Sequence, residues 1–119
     1  MIERPHSPLG ARRRTLEMLV RYVAESSLEA VCRLVAQRVE AMTLCEARGY
    51  IRARAGREIR RQTRLAIASH PAADAAWELP VIVRATDRVA PLALRQIIGA
   101  RVRQGETREL AARRQRRAA

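Results

Sequence analysis

Hydrophobic residues recur at helical spacing along most of this chain. Leu16, Leu19, Val20 and Val23 stand at i, i+3, i+4 and i+7, one face of an α-helix. A second stripe follows, made of Leu28, Val31, Cys32, Val35, Val39 and Met42. It is rotated by roughly 100° from the first. A straight helix does not turn its buried face so abruptly. Ser26, with Glu29 three residues on, also matches a capping box, so a kink or a new helix is expected near Ser26. Thr43 and Glu46 form a second such pair. Beyond them Ile51, Ala55, Ile59, Gln62 and Ala66 share a face, rotated again. Residues 12–68 therefore read as two or three helices. One long, kinked helix is the competing reading, because neither break contains Gly or Pro or leaves room for a loop.

Pro and Gly punctuate the rest. Residues 1–10 hold Pro5, Pro8 and Gly10 and read as a flexible lead-in, with Ser7 placed to cap a short turn at Pro8. Ser69-His70-Pro71 ends the first helical region. Pro71 suits the first turn of a short helix, 71–79, which Pro80 should stop, since the residue before Pro disfavours the α region. Residues 80–85 have strand composition but no partner strand, so they read as an extended linker or a helix start. Thr86 or Asp87 then caps a helix over 87–104, in which Leu94, Ile98 and Val102 stack at i, i+4 and i+8. On that reading Pro91 falls in the first turn, where it is tolerated, and Gly105 ends the helix. The expected fold is all-α, a small bundle of about four to five helices. Residues 11–105 form its single helical domain, and 106–119 form a basic C-terminal helix or tail. No internal repeat is visible.

Composition sharpens this picture. A chain of 119 residues has room for one ordinary core, and 48% hydrophobic residues argue against wholesale disorder. All 24 basic residues are Arg, against 12 acids, giving a formal net charge of +12. GC-rich codons account for Arg in place of Lys, but not for a twofold excess of bases over acids. The excess is also not spread evenly. Residues 48–64 carry net +6 and residues 101–119 net +5, whereas 1–47 carry +1 and 65–100 are neutral. Two basic blocks thus flank a neutral, apolar stretch.

The candidate chemistry lies in those blocks. Arg54, Arg57, Arg60, Arg61 and Arg64 project within roughly 120° of one another on a helix, opposite Ile51, Ala55 and Ile59. Like charges at i, i+3 and i, i+4 repel, a polyanion relieves that repulsion, and guanidinium binds phosphate in bidentate fashion. Arg113, Arg114, Arg116 and Arg117 make a second cluster, either closing a helix or forming an arm that tracks a groove. A solvated face and an inert tail are the plainer readings of the same residues. Gly49, Ala53 and Gly56 form a small-residue lane, which suits close approach of another backbone or marks a bent helix. Tyr50 is the one aromatic near the Arg block, which favours backbone contacts over base stacking. Leu94, Ile98, Gly99 and Val102 match a helix-turn-helix only faintly, with Arg95 where a small residue is wanted. Trp77 reads as core.

Other chemistries find little support. Cys32 and Cys45 are too few for a disulfide framework and read as buried, reduced thiols of an intracellular protein. His6 and His70 stand alone, so no metal site and no cofactor are expected. Ser69, His70 and Asp74 lie around a Pro turn that rarely supplies triad geometry, so no catalytic residue is assigned. No apolar run approaches the length of a membrane span, and a cytoplasmic setting is expected. The expected function is non-enzymatic: gripping the phosphate backbone of duplex DNA or folded RNA, with little base specificity. The alternative is a helical assembly or adaptor protein whose Arg face docks on an acidic partner. A homodimer would suit a small helical chain with limited surface to bury.

Overall fold

The computed structural model describes residues 8–118. They form three long helices, α1 (Pro8–Val39), α2 (Leu44–Ser69) and α3 (Glu78–Ala118), with one turn of 3₁₀ helix (Ala75–Trp77) leading into α3. Among the described residues there is no strand. The all-α bundle is as expected, but its helices number three rather than four to five. Of the lead-in, residues 8–10 belong to α1; Pro5 and Ser7 lie outside the described residues.

Each helix contributes a stripe spaced mostly by four residues. On α2 it is Ala47, Ile51, Ala55, Ile59, Thr63 and Ala66; on α3 it is Val81, Ala85, Val89, Ala93 and Ile97. Small and large residues alternate, so facing ridges can interdigitate. Thr63 is enclosed and its hydroxyl donates to the Ile59 carbonyl at 2.7 Å. Gln62, expected in this stripe, is only half-buried, and Thr63 takes its place.

The expected break near Ser26 does not exist. The buried face of α1 runs through Val20, Val23, Ala24, Ser27, Val31, Val35 and Val39, and Ser27 is fully enclosed. A polar residue at this core position hides the join between two apolar stripes that are one. The second break is real. Thr43 caps α2, its Oγ1 accepting from the Glu46 N–H at 3.2 Å and meeting Glu46 Oε1 at 3.0 Å.

Further corrections concern the prolines and glycines. The expected helix over 71–79 is a turn followed by the 3₁₀ segment, whose N-cap is Asp74, with Oδ1 accepting from Ala76 N–H at 2.9 Å. Pro80 is the third residue of α3 and stops nothing, because N–H groups of a first turn have no helical partner. Residues 80–85 are thus the helix start, not a linker. Pro91 lies inside α3, where it leaves the Asp87 carbonyl without its usual donor. Gly105 does not end the helix, which continues to Ala118. The stripe Leu94, Ile98, Val102 also dissolves: Leu94 is buried, but Ile98 and Val102 are exposed.

Polar contacts between helices show the layout. Glu17 of α1 meets Arg84 of α3 at 2.7 Å, and Cys32 further along α1 meets Gln96 at 3.4 Å, so α1 and α3 run parallel. Arg52 of α2 pairs with Asp87, and Arg64 meets Glu78 at 2.8 Å, so α2 runs antiparallel to α3. Helix α3 has 41 residues, about 61 Å at 1.5 Å per residue, against 32 for α1. It therefore outruns its neighbours. From residue 102 onward every described side chain is exposed except the half-buried Ala112. The molecule measures 70 × 28 × 27 Å, and this overhang extends its long dimension.

Candidate nucleic-acid interface

The outer face of α2 is one candidate surface. Its core residues place Ile51, Ala55 and Ile59 inward, which leaves Arg54, Arg57, Arg60, Arg61 and Arg64 exposed on the opposite side. The five are not equivalent. Arg61 donates to both carboxylate oxygens of Glu58, at 3.4 and 3.1 Å, and Gln62 donates to the same carboxylate at 3.1 Å. Those hydrogen bonds hold the Glu58 carboxyl below its ordinary range, against a smaller opposing effect of partial burial. Arg61 is raised in turn by the hydrogen bond and charge of Glu58. Arg64 is tied to Glu78. The Arg54 guanidinium sits 5.8 Å from the centre of the Tyr50 ring, one turn away, so Tyr50 steadies a cation rather than offering a bare stacking face. Arg57 and Arg60 have no ion-pair partner among the described residues, which makes them the most available cations of this face.

The small-residue lane beside it packs against nothing. A Cβ on Gly49 or Gly56 would meet no atom within 4 Å. The lane is therefore not a helix–helix contact within the bundle.

The second surface is the overhang of α3. Residues 101–118 carry seven Arg and two Glu. Glu109 holds Arg113 at 2.8 Å, while Arg114, Arg116 and Arg117 are exposed without ion-pair partners among the described residues. Because α3 continues through Gly105, Arg103 and Arg108 join this cluster on the same helix. The expected stop at Gly105 set Arg103 apart from Arg108 and the rest of the tail. The charges point in many directions around the axis, and no apolar stripe interrupts them, as expected for a helix that packs on nothing. Arg101 marks the boundary: it is half-buried, and its Nη2 is enclosed without a hydrogen-bond partner. With Cys32, Gln96 and Glu40 it borders an open groove of about 600 Å³ between α1 and α3.

The remaining candidates have structural roles. Ser69 Oγ donates to the Leu65 carbonyl at 2.8 Å, His70 caps α2 and accepts from Ala72 N–H at 3.3 Å, and Asp74 caps the 3₁₀ turn and meets Arg12 at 3.5 Å. Trp77 packs against the core edge with Arg12 over its ring at 5.8 Å. Helix α3 runs unbroken through Leu94, Gly99 and Val102, so the faint helix-turn-helix pattern has no turn. Cys32 is half-buried, and desolvation raises its thiol above the ordinary range. Cys45, expected to be buried, is exposed on the first turn of α2. No group of His, Cys, Asp and Glu among the described residues could hold a metal ion, and no described helix is long and apolar enough to cross a membrane. No family model, curated protein or solved structure matches this chain.

Proposed function

We propose that this protein binds the phosphate backbone of duplex DNA or folded RNA with little base specificity, and that it carries out no chemistry of its own. The observation that carries this reading is the overhang of α3. It buries almost nothing, it has net charge +5 over residues 101–119, and the bundle gains nothing from it. The α2 face adds Arg57 and Arg60 as unengaged cations and Arg54, Arg61 and Arg64 as cations that phosphate could draw from their present partners. Neither surface offers Asn, and Gln104 and Gln115 are the only amides on the arm, so base readout has few instruments. A cytoplasmic setting belongs to the same reading.

The test is a salt titration of binding to mixed-sequence duplex DNA and to folded RNA. Each phosphate neutralised on B-DNA contributes about −0.9 to the slope of log K against log salt. Replacing Arg57 and Arg60 together by Gln should reduce that slope by about 1.8 in magnitude if both touch phosphate. Absence of binding at low salt rejects the reading.

One observation favours the second reading, an assembly or adaptor protein. Met18, Tyr22 and Leu65 are all about half exposed, at 48%, 56% and 54%, and they border one depression between α1 and α2. A concentration-dependent mass without nucleic-acid affinity would support docking or dimerisation there, with the Arg face meeting an acidic protein.

A further inference from the structure

We infer that the α2 face and the α3 arm act together as a rigid ruler on duplex nucleic acid, so that full affinity requires a duplex longer than one helical turn. This rests on the nucleic-acid reading above and adds a footprint to it. Arg57 and Arg60 lie in sequence between Arg52 and Arg64, whose partners on α3 are Asp87 and Glu78. The open cations of α2 are therefore level with residues 78–87 of α3. Arg108 stands 21 residues beyond Asp87 on the same unbroken helix. At 1.5 Å per residue, the stretch from the middle of that level to Arg108 is about 39 Å, and to Arg116 about 51 Å.

Direction follows from periodicity. Residues seven apart on a helix are offset by about 20°, so three heptads bring an offset of about 60°. Asp87, Leu94, Arg101 and Arg108 form such a series, and Asp87 faces α2 through Arg52. Arg108 therefore lies about 60° from the Asp87 direction, in the same half of the helix circumference. A turn of B-DNA spans about 34–36 Å. Two cation groups about 39 Å apart on one side meet phosphates roughly one turn apart on one face of a duplex. From the Arg64 level to Arg116 the track is about 57 Å, or about 17 base pairs at 3.4 Å each.

The connection between the two groups is helical backbone, not a flexible linker. A stiff spacer that matches the span raises the effective concentration of the second contact, and avidity of 10² or more over a single contact is attainable in such cases. Gly105 is the weak point of this spacer. Its φ is not positive, and a Cβ there would meet nothing within 4 Å, so Ala fits without strain while Pro would interrupt the arm.

The experiment measures affinity of the full chain for duplexes of about 10, 18 and 24 base pairs, in DNA and in RNA form, at one fixed salt concentration. The expected result is at least a tenfold gain from the shortest to the middle length and little more at the longest. Gly105→Pro should bring the middle-length affinity to within about threefold of the short-duplex value, leaving short-duplex affinity unchanged, because every Arg is retained. Gly105→Ala should keep the full gain. Equal affinity at all lengths, or a Gly105→Pro protein indistinguishable from the parent, overturns the ruler while leaving phosphate binding intact. No binding at any length overturns both. Helical content of the Gly105→Pro protein, read by circular dichroism, checks that the bundle through residue 101 is unaffected. Preference for the B-form or the A-form duplex identifies which polymer the spacing fits.

Discussion

Ser27 should be the position where the bundle gains most from losing a single atom. Its side chain is fully enclosed between Val23 and Val31, and its Oγ has no hydrogen-bond partner. An unpaired hydroxyl buried in this way costs about 1–3 kcal/mol relative to an apolar group of the same shape. Ser27→Ala removes that cost and adds about 0.5 kcal/mol of helix propensity. The vacated oxygen leaves a void of about 10 Å³, which at about 24 cal/mol per Å³ returns only about 0.2 kcal/mol. The net expectation is a gain of about 1–3 kcal/mol. For a domain near this size each kcal/mol raises Tm by about 3–6 °C. Thermal and urea unfolding followed by far-ultraviolet circular dichroism measure it, with the urea slope unchanged. Ser26→Ala is the control: Ser26 is exposed, so it should yield the propensity gain alone. Ser27→Val, which puts two methyl groups where one oxygen stood in a filled site, should instead cost about 1–3 kcal/mol. A Ser27→Ala protein destabilised by 1 kcal/mol or more would refute the reasoning, because it would mean that the hydroxyl is bonded and organises the core.

Gly49→Ala and Gly56→Ala should each stabilise α2 by up to about 1 kcal/mol, since a Cβ meets nothing at either site; loss of nucleic-acid affinity in either variant would show that the lane is approached by the ligand backbone. Cys45 is exposed while burial raises Cys32, so a thiol reagent near neutral pH should modify Cys45 first and Cys32 slowly, and the reverse order would contradict the packing of Cys32 under Gln96. Glu58 titrates below the ordinary Glu range because Arg61 and Gln62 bond its carboxylate, so its stabilising effect is complete above the unfolded-state pKa and is lost as pH falls through the lower folded value. A carboxyl-detected NMR titration checks that midpoint, and Glu58→Gln, which frees Arg61, should tighten binding to duplex and steepen its salt slope; weaker binding would mean that Arg61 needs Glu58 to hold its position.

Periodicity recovered what burial dictates. Val31, Val35 and Val39, then Ile51, Ala55 and Ile59, lie inside because their spacing keeps one face together. The Thr43–Glu46 cap was legible for the same local reason, since four residues hold the whole signal. The reading failed where tertiary packing overrode a local cue. Ser26 with Glu29 has the form of a cap, but Val23 and Val31 bury the intervening turn, and α1 continues through it. Pro91 has the form of a first-turn residue, but Val81, Ala85 and Val89 are apolar at every fourth position and draw α3 back to Glu78. On that longer helix Pro91 must be internal, and the packing of its neighbours outweighs one missing N–H.

The candidate site obeys a different rule, which explains why the continuity of the arm was not legible. A helix that packs on nothing has no apolar stripe, so hydrophobic periodicity cannot mark its extent. Propensity and charge are then the remaining signals, and over 101–118 they conflict. Gly105 disfavours the helix, while Glu109 four residues before Arg113 favours it, and the structure realises that pair at 2.8 Å. Reading Gly105 as a stop separated Arg101 and Arg103 from Arg108, Arg113, Arg114, Arg116 and Arg117. With the helix continuous, they are one arm on a core-anchored spacer, and the distance between the two basic blocks becomes a property fixed by the fold. That distance decides between a basic protein that merely adheres to polyanions and one that measures a duplex, which is why a single Gly outside the core is the most informative residue to change.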